Sequence, residues 1–319
     1  MKPLHVLVQR YIQNGSLFAV LAALGFSFKA IFVKLSYAAG PVDAITLLAM
    51  RMGLSLPLFI WLVGLSRRHS NAPMTLGSSV QVLLLGLFGY YLASLFDFYG
   101  LQYISAGLER LILFIYPTLV LIFQAIALRE RPTLRTLAAM GICYFGLGIA
   151  FVHDVSVSGV GNQVIVGSLW VFASAVTYAL YYSGTGILLK RMSSMRLAGL
   201  AGTASSLMVL AHYLLVADTS QLARLPVAVW ANAAMMAIFS TVLPIYWVAL
   251  AIQRMGATQT AAVGNLGPVL TILASWLVLS EAISAYQIVG LALVLFGVSR
   301  LKPARPKVAA QSTTTDASA

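Results

Sequence analysis

The chain has 319 residues, of which 60% are hydrophobic and only 9% are charged, with a mean hydropathy of +0.91 and a formal net charge of +12. Soluble domains carry roughly 25% charged residues, so this composition excludes an ordinary soluble protein and indicates that lipid surrounds much of the surface. The single cysteine, Cys143, excludes a disulfide framework within the chain.

Ten apolar stretches follow one another with short linkers. A helix needs about 20 apolar residues to cross the hydrocarbon core of a bilayer. The first stretch exceeds the roughly 7–15 residues of a signal-peptide core, so we interpret it as a retained span. We predict spans at residues 16–36, 44–63, 79–100, 106–128, 133–152, 165–188, 197–216, 229–251, 257–279 and 285–300.

The basic residues are distributed unevenly about these predicted spans. If the N-terminus is cytoplasmic, 15 of the 20 Lys and Arg residues fall on the cytoplasmic side. Lys34, Arg110 and Arg224 then lie near the other side, while Lys29 and Arg51 lie within spans. The positive-inside rule predicts this asymmetry. We therefore expect both termini to be cytoplasmic, and the high charge needs no nucleic-acid partner.

An internal repeat divides the chain. Residues 102–130 resemble residues 253–281 at an offset of 151, which aligns Pro117 with Pro268. Five spans in each half give the halves opposite orientations. We predict an all-α integral membrane fold of ten transmembrane helices arranged as two inverted five-helix repeats. The predicted regions are a cytoplasmic N-terminus (1–15), the first repeat (16–152), a linker (153–164), the second repeat (165–301) and a disordered cytoplasmic tail (302–319).

Several segments carry a family resemblance. They are Tyr99–Ala106, Ile115–Thr118 and Leu128–Pro132 in the first half, and Ala251–Ala257, Gly267–Pro268 and Leu279–Glu281 in the second. In these segments the chain resembles the EamA-like family of the drug/metabolite transporter superfamily, over about residues 15–301. The resemblance implies a five-plus-five helical fold in a bacterial inner membrane. It also implies transport of small organic solutes, often outward, without naming a substrate.

Four charged side chains within the spans are candidate substrate-binding residues: Lys29, Arg51, Asp97 and Glu109. A charge at the bilayer centre costs about 2.5–3.5 kcal/mol, so these groups must pair or face a wet cavity. In one interpretation Lys29 or Arg51 binds an anionic substrate group, while Asp97 or Glu109 binds a cationic group or a proton. In the other, the carboxylates neutralise the basic residues, including Arg110, and hold helices together.

Polar and aromatic residues recur at helical spacing in three spans. Lipid offers no hydrogen bonds, so such faces should turn inward. They predict a central cavity with aromatic walls that suits amphipathic solutes, and helix packing by Ser and Thr is the alternative. The candidate substrate-binding residues of this kind are Tyr90, Ser94, Tyr178, Tyr181, Thr185 and Asn265.

Two prolines occupy matched places in spans four and nine. Pro117 and Pro268 each remove a backbone hydrogen bond, and interrupted helices at corresponding positions point to a binding site near the midplane. We predict that they act as helix breaks or gating points. The alternative is a tolerated kink, since neighbouring groups in membrane helices can satisfy the freed backbone atoms.

The sequence contains no P-loop, His-Glu-x-x-His or Cys-x-x-Cys segment, so we predict no cofactor, no metal and no enzymatic activity. The leading hypothesis is a secondary transporter that exports small metabolites, such as amino acids or related amphipathic solutes, by alternating access. Its partners would be the bilayer and the solute, with proton coupling left open. The alternatives are a non-transporting assembly or binding subunit, and an intramembrane enzyme that acts on a lipid.

Overall fold

The computed structural model describes residues 15–67, 74–128, 133–157, 161–189, 191–255, 263–264 and 266–300. Within these ranges the chain forms helices and contains no strand. The helices are α1 (Ser16–Ala39), α2 (Ala44–Arg67), α3 (Leu76–Leu85, π-helical Gly86–Leu92 and Ala93–Leu101), α4 (Ala106–Leu113), α5 (Tyr116–Leu128), α6 (Leu134–Val157), α7 (Gly161–Leu188), α8 (Ser194–Val216), α9 (Val227–Ala237, π-helical Ile238–Val242 and Leu243–Met255), α10 (Leu266–Leu279) and α11 (Ala285–Arg300).

Eight stretches of the described chain are long and apolar enough to cross a membrane, and α4 and α5 together contribute one of them. Helices α10 and α11 are equally apolar but shorter, with 14 and 16 residues. The fold is therefore all-helical, with eight candidate membrane-spanning helices and two shorter apolar ones. The arrangement as ten spans in two inverted halves stays a prediction, and residues 257–262 and 265 of the predicted ninth span lie outside the described ranges.

The outer surface of the bundle is apolar. Large side chains such as Trp61, Phe145 and Leu215 are 63%, 67% and 85% exposed. In water such exposure would be costly, but lipid tails are as apolar as these side chains. Because backbone groups cannot hydrogen-bond to lipid, the chain satisfies them within helices. The composition of the sequence thus accounts for both the helical fold and its exposed apolar surface.

Hydroxyl side chains fix where several helices begin. The Ser105 hydroxyl accepts a hydrogen bond from the Leu108 N–H at 3.1 Å at the start of α4. Thr75 accepts one from the Ser78 N–H at 3.2 Å before α3, and Ser193 accepts one at 3.3 Å before α8. These caps satisfy backbone donors that have no partner inside the helix. They explain why turns of a few residues separate long apolar helices.

Helices of residues 16–157 pack mainly against helices of residues 161–300. Helix α2 packs on α8, α3 on α7, α6 on α11, and α1 on both α9 and α10. Close approach depends on glycine where backbones meet, since a Cβ at Gly146 would lie 2.8 Å from the Gly290 carbonyl oxygen. The two parts of the chain are therefore interlocked rather than side by side.

Candidate functional site

A cavity of about 250 Å³ lies between the interlocked helices. Residues from α1 to α5 and from α7 to α10 line it, whereas no described residue of α6 or α11 does. Most of the residues predicted from sequence line the cavity: Lys29, Arg51, Tyr90, Ser94, Tyr178, Tyr181, Thr185 and Pro268. Asp97, Glu109 and Pro117 lie behind the lining, and Asn265 lies outside the described residues.

The cavity extends toward one end of the bundle. Its lining includes Ala19, near the start of α1, and Leu189 and Ser194, on either side of the turn between α7 and α8. It runs inward from there to Lys29 and Arg51. Among the described residues, the cavity lining therefore reaches the end of the bundle where α1 begins.

Polar contacts join the helices at the opposite end of the bundle. The Lys34 ammonium donates hydrogen bonds to the carbonyl oxygens of Leu101 and Ile104, at 3.3 and 3.1 Å. The carboxylate of Glu281 accepts the N–H of Ala106 at 3.2 and 3.1 Å, which caps α4. Together these contacts join α1, the α3–α4 connection and the α10–α11 connection.

Lys29, Asp97, Glu109 and Arg110 form an ion cluster at the inner edge of the cavity. The Lys29 Nζ atom lies 2.8 Å from Asp97 Oδ2 and 3.9 Å from Glu109 Oε1. Both carboxylate side chains are 0% exposed, while the Lys29 side chain is 15% exposed and faces the cavity. The cluster contains two basic and two acidic side chains.

Glu109 and Arg110 interact although they are adjacent in α4. Neighbouring helical residues point about 100° apart, yet Arg110 Nε lies 3.8 Å from Glu109 Oε2. Its Nη2 atom also donates to the carbonyl oxygen of Phe26 at 2.8 Å. Arg110 is thus held by α1 as well as by its neighbour.

Arg51 has different surroundings. It is 4% exposed and lines the cavity. Its Nε donates to the Thr241 hydroxyl at 2.8 Å, and its Nη1 donates to the Ser94 hydroxyl at 3.2 Å. The guanidinium also lies 5.5 Å from the centre of the Phe98 ring. Among the described residues no carboxylate oxygen lies within 4.0 Å of it.

Five tyrosines form the aromatic wall, and we call them the tyrosine cluster: Tyr90, Tyr116, Tyr178, Tyr181 and Tyr182. The Tyr90 and Tyr181 hydroxyls share a hydrogen bond of 2.8 Å. Ring centres lie 5.0 Å apart for Tyr116 and Tyr178, and 5.8 Å apart for Tyr178 and Tyr181. The cluster presents ring surface and hydroxyl groups to the same space that Arg51 faces.

Two π-helical segments border the cavity, and the sequence analysis predicted neither of them. They are Gly86–Leu92 in α3 and Ile238–Val242 in α9. The Thr241 hydroxyl donates to the Met236 carbonyl oxygen five residues earlier, at 2.9 Å. A π-helical turn widens the helix, and such turns are frequent at functional sites. Here they carry Tyr90 and Thr241, with Ser94 one turn further on.

Pro117 lies at the start of a helical segment. The chain turns at Phe114 and Ile115, and α5 begins at Tyr116, directly before Pro117. Proline is well tolerated there because the first N–H groups of a helix have no internal partner. Pro268 is the third residue of α10 as described, and residues 263–264 before it are also helical. Pro117 therefore marks an interrupted span, which places the Tyr116 ring in the cavity wall.

Sequence reasoning missed Tyr116, Arg110 and Thr241 as cavity residues. Tyr116 precedes a proline, and Arg110 follows an acidic residue within a predicted span. The sequence pattern could therefore have indicated both residues. The pair Ser240 and Thr241 is a short polar step in the middle of an apolar span, which also could have been recognised. In the described part of the chain, no group of three His, Cys, Asp or Glu residues is arranged to hold a metal.

Comparison with known proteins gives one consistent result. The profile of the EamA-like transporter family matches residues 13–152 and again residues 165–301. The chain is 29% identical over 295 residues to "Uncharacterized transporter YcbK" of Bacillus subtilis (strain 168), covering 90% of this chain and 92% of that protein. It is 28% identical to "Uncharacterized transporter YyaM" of the same organism, covering 86% and 90%.

A solved structure has the same fold. It is described as "Crystal structure of protein" and matches with a TM-score of 0.62 at 19% sequence identity, covering 90% of this chain and 95% of that chain. At this identity the likeness concerns the fold alone. Because the family profile spans both halves of the sequence and the helices are apolar, the chain belongs to the EamA-like transporter family and is an integral membrane transporter.

Proposed function

We propose that this transporter is a secondary carrier that exports small amphipathic organic solutes by alternating access between two inverted five-helix halves. The observation that carries the proposal is the cavity of about 250 Å³ between the halves, with its basic residues and its tyrosine cluster. Ligand sites are mostly apolar and aromatic with a few placed polar groups. The volume suits a metabolite rather than a large lipid.

Three features support the two inverted halves. The family profile matches the chain twice. The π-helical segments Gly86–Leu92 and Ile238–Val242 fall at equivalent places, since Gly89 and Ser240 are related by the same offset as the sequence repeat. Each pair of tightly packed helices also joins one half to the other. Inverted repeats exchange roles when a carrier switches the side to which its site opens.

The orientation belongs to the proposal as well. The positive-inside rule favours a cytoplasmic N-terminus, and the cavity extends toward the end where α1 begins. The described conformation would then be open to the cytoplasm, which is the side from which an exporter takes its solute. Lys34 and Glu281 would close the outer side.

The test is solute counterflow in sealed vesicles that contain the purified protein. The panel would contain amino acids, organic acids, nucleosides, polyamines and sugars, each as a labelled tracer against an excess of the same unlabelled solute. We expect saturable accumulation of the tracer for one class, and protein-free vesicles are the control. An imposed pH gradient that changes the rate would indicate proton coupling. If no class in the panel accumulates above the control, the carrier proposal fails.

A further inference from the structure

The charges that face the cavity do not balance. Lys29, Arg51 and Arg110 line it, and Asp97 and Glu109 are the carboxylates beside it. Lys29 forms an ion pair with Asp97, and Arg110 lies next to Glu109. Arg51 is the cation of this group with neutral partners, namely the hydroxyls of Ser94 and Thr241. Counted with every ionisable side chain charged, the described cavity region thus has one more basic group than acidic groups.

The Arg51 guanidinium borders the cavity and keeps N–H donors without a described partner. A guanidinium has five N–H donors, and the two hydrogen bonds of Arg51 leave three without a partner among the described residues. An isolated buried charge is strongly disfavoured unless it is paired and hydrogen-bonded. The bonds from α3 and α9 fix the guanidinium while it borders open space. A fixed fork of donors matches the two oxygens of a carboxylate.

We propose that Arg51 is the anion-binding residue of the cavity, and that the solute carries one carboxylate there while its remaining body packs on the tyrosine cluster. This inference rests on the proposed function and narrows it to a class of solute. It assigns different roles to two residues that the sequence left equivalent. Lys29 belongs to the ion cluster with Asp97 and Glu109, and Arg51 is the residue that meets the anion.

The interactions of Arg51 also assign positioning roles. Thr241 and Ser94 hold the guanidinium from two different halves of the chain. Arg51 is in α2, Ser94 is in α3 and Thr241 is in α9. An anion bound to Arg51 would therefore link three helices from both halves. Such a bridge is a means by which a bound solute could favour one arrangement of the halves over the other.

The experiment measures binding rather than flux, so that it is independent of the carrier test. Thermal unfolding of the purified protein in detergent would be followed with three carboxylate and amide pairs: acetate and acetamide, phenylacetate and phenylacetamide, and indole-3-acetate and indole-3-acetamide. A ligand that binds the native state raises the unfolding midpoint. We expect the aromatic carboxylates to bind at least about tenfold more tightly than their amides, because charge-assisted hydrogen bonds are the stronger ones.

Variants of the basic residues then identify the side chain that causes the preference for carboxylate over amide. Arg51→Gln should abolish the preference for carboxylate over amide, whereas Arg51→Lys should retain it in weakened form. The double substitution Lys29→Met with Asp97→Asn removes one charge of each sign and should leave the preference intact. Arg224→Gln, on an exposed residue outside the cavity, is the matched control. If Arg51→Gln does not fold, the double variant and Arg51→Lys still decide between the two basic residues.

Two outcomes would overturn the inference. One is a panel in which no carboxylate stabilises the protein more than its amide. The other is a carboxylate preference that survives Arg51→Gln and disappears in the double variant, which would assign the anion to Lys29. Either result leaves the carrier proposal standing if counterflow occurs. Conversely, anion binding at Arg51 without any counterflow would support the site and count against transport of this class.

Discussion

Lys29 and Asp97 show how a membrane protein accommodates buried charge at the scale of single residues. The ammonium and the carboxylate lie 2.8 Å apart, and the Asp97 side chain is 0% exposed. In such surroundings removing one partner costs more than the pair itself contributes, because the remaining charge is left buried. The pairing interpretation of Asp97 and Glu109 therefore has direct geometric support, while Arg51 fits the other interpretation.

The substitution Asp97→Asn should destabilise the protein strongly. It leaves Lys29 with Glu109, which already faces Arg110, so the ion cluster gains one net positive charge. We expect a loss of about 3–5 kcal/mol of unfolding free energy, as for other broken buried pairs, measured by thermal or denaturant unfolding in detergent. The double variant with Lys29→Met should recover much of this loss. Asp218→Asn, on an exposed aspartate, is the control, and equal effects of the two Asp→Asn changes would contradict the pairing.

At the scale of elements, glycine determines how closely α6 and α11 approach each other. A Cβ added at Gly146 would lie 2.6 Å from Leu293 Cβ and 2.8 Å from the Gly290 carbonyl oxygen. A Cβ at Gly148, two residues further along the same helix, would meet no atom within 4 Å. Small residues commonly allow this kind of contact in membrane bundles. Neither helix lines the cavity, so their packing can be altered without touching the site.

Gly146→Ala should therefore lower the unfolding free energy by about 1–3 kcal/mol, which is typical of overpacking. Gly148→Ala should be neutral or slightly stabilising, since alanine is favoured over glycine within a helix by about 1 kcal/mol. Unfolding midpoints of the two variants, measured side by side in the same detergent, provide the comparison. Similar losses for both would mean that the backbones of α6 and α11 are not in close contact.

Another element-scale feature is the cap that a distant carboxylate supplies to α4. Glu281 accepts the N–H of Ala106 from the connection between α10 and α11. Glu281→Ala should cost about 0.5–2 kcal/mol, the usual range for loss of a helix cap. Glu281→Asp keeps the charge on a shorter side chain and should recover only part of the loss. Unfolding midpoints would measure both, and a neutral Glu281→Ala would argue against the cap.

At the scale of the whole molecule, the lengths of the apolar stretches predicted the helices well. The predicted stretch 44–63 is α2 at Ala44–Arg67, and 285–300 is α11, because a backbone in lipid has few alternatives to a helix. The sequence could not predict which side chains of different helices contact one another. From the sequence, Asp97 and Glu109 are candidate substrate-binding residues. In the structure they lie behind Lys29 and are not part of the cavity lining. Tyr116 is in the wall because the helix is interrupted before Pro117, where the sequence did predict a break. Thr241 is in the wall through a π-helical turn, which the sequence analysis did not predict.

The orientation in the membrane is a property of the whole chain, and it decides the meaning of the cavity. Gly77 is the second residue of the third candidate span, so two spans precede it, and seven precede Ser220. The two positions should therefore lie on opposite sides. Both are exposed, and a Cβ at Gly77 meets no atom within 4 Å. In a Cys143→Ala background, which removes the only native thiol, each position can therefore carry a cysteine.

We expect Ser220→Cys to react with a membrane-impermeant maleimide added to spheroplasts, and Gly77→Cys to react only after the membrane is permeabilised. That result would place the N-terminus in the cytoplasm, as the basic residues predict. The cavity would then be open on the loading side of an exporter, with Lys34 and Glu281 on the side that must open for release. The Cys143→Ala protein without either new cysteine is the control for background labelling. The reverse labelling pattern would invert the topology, and the described conformation would suit uptake instead.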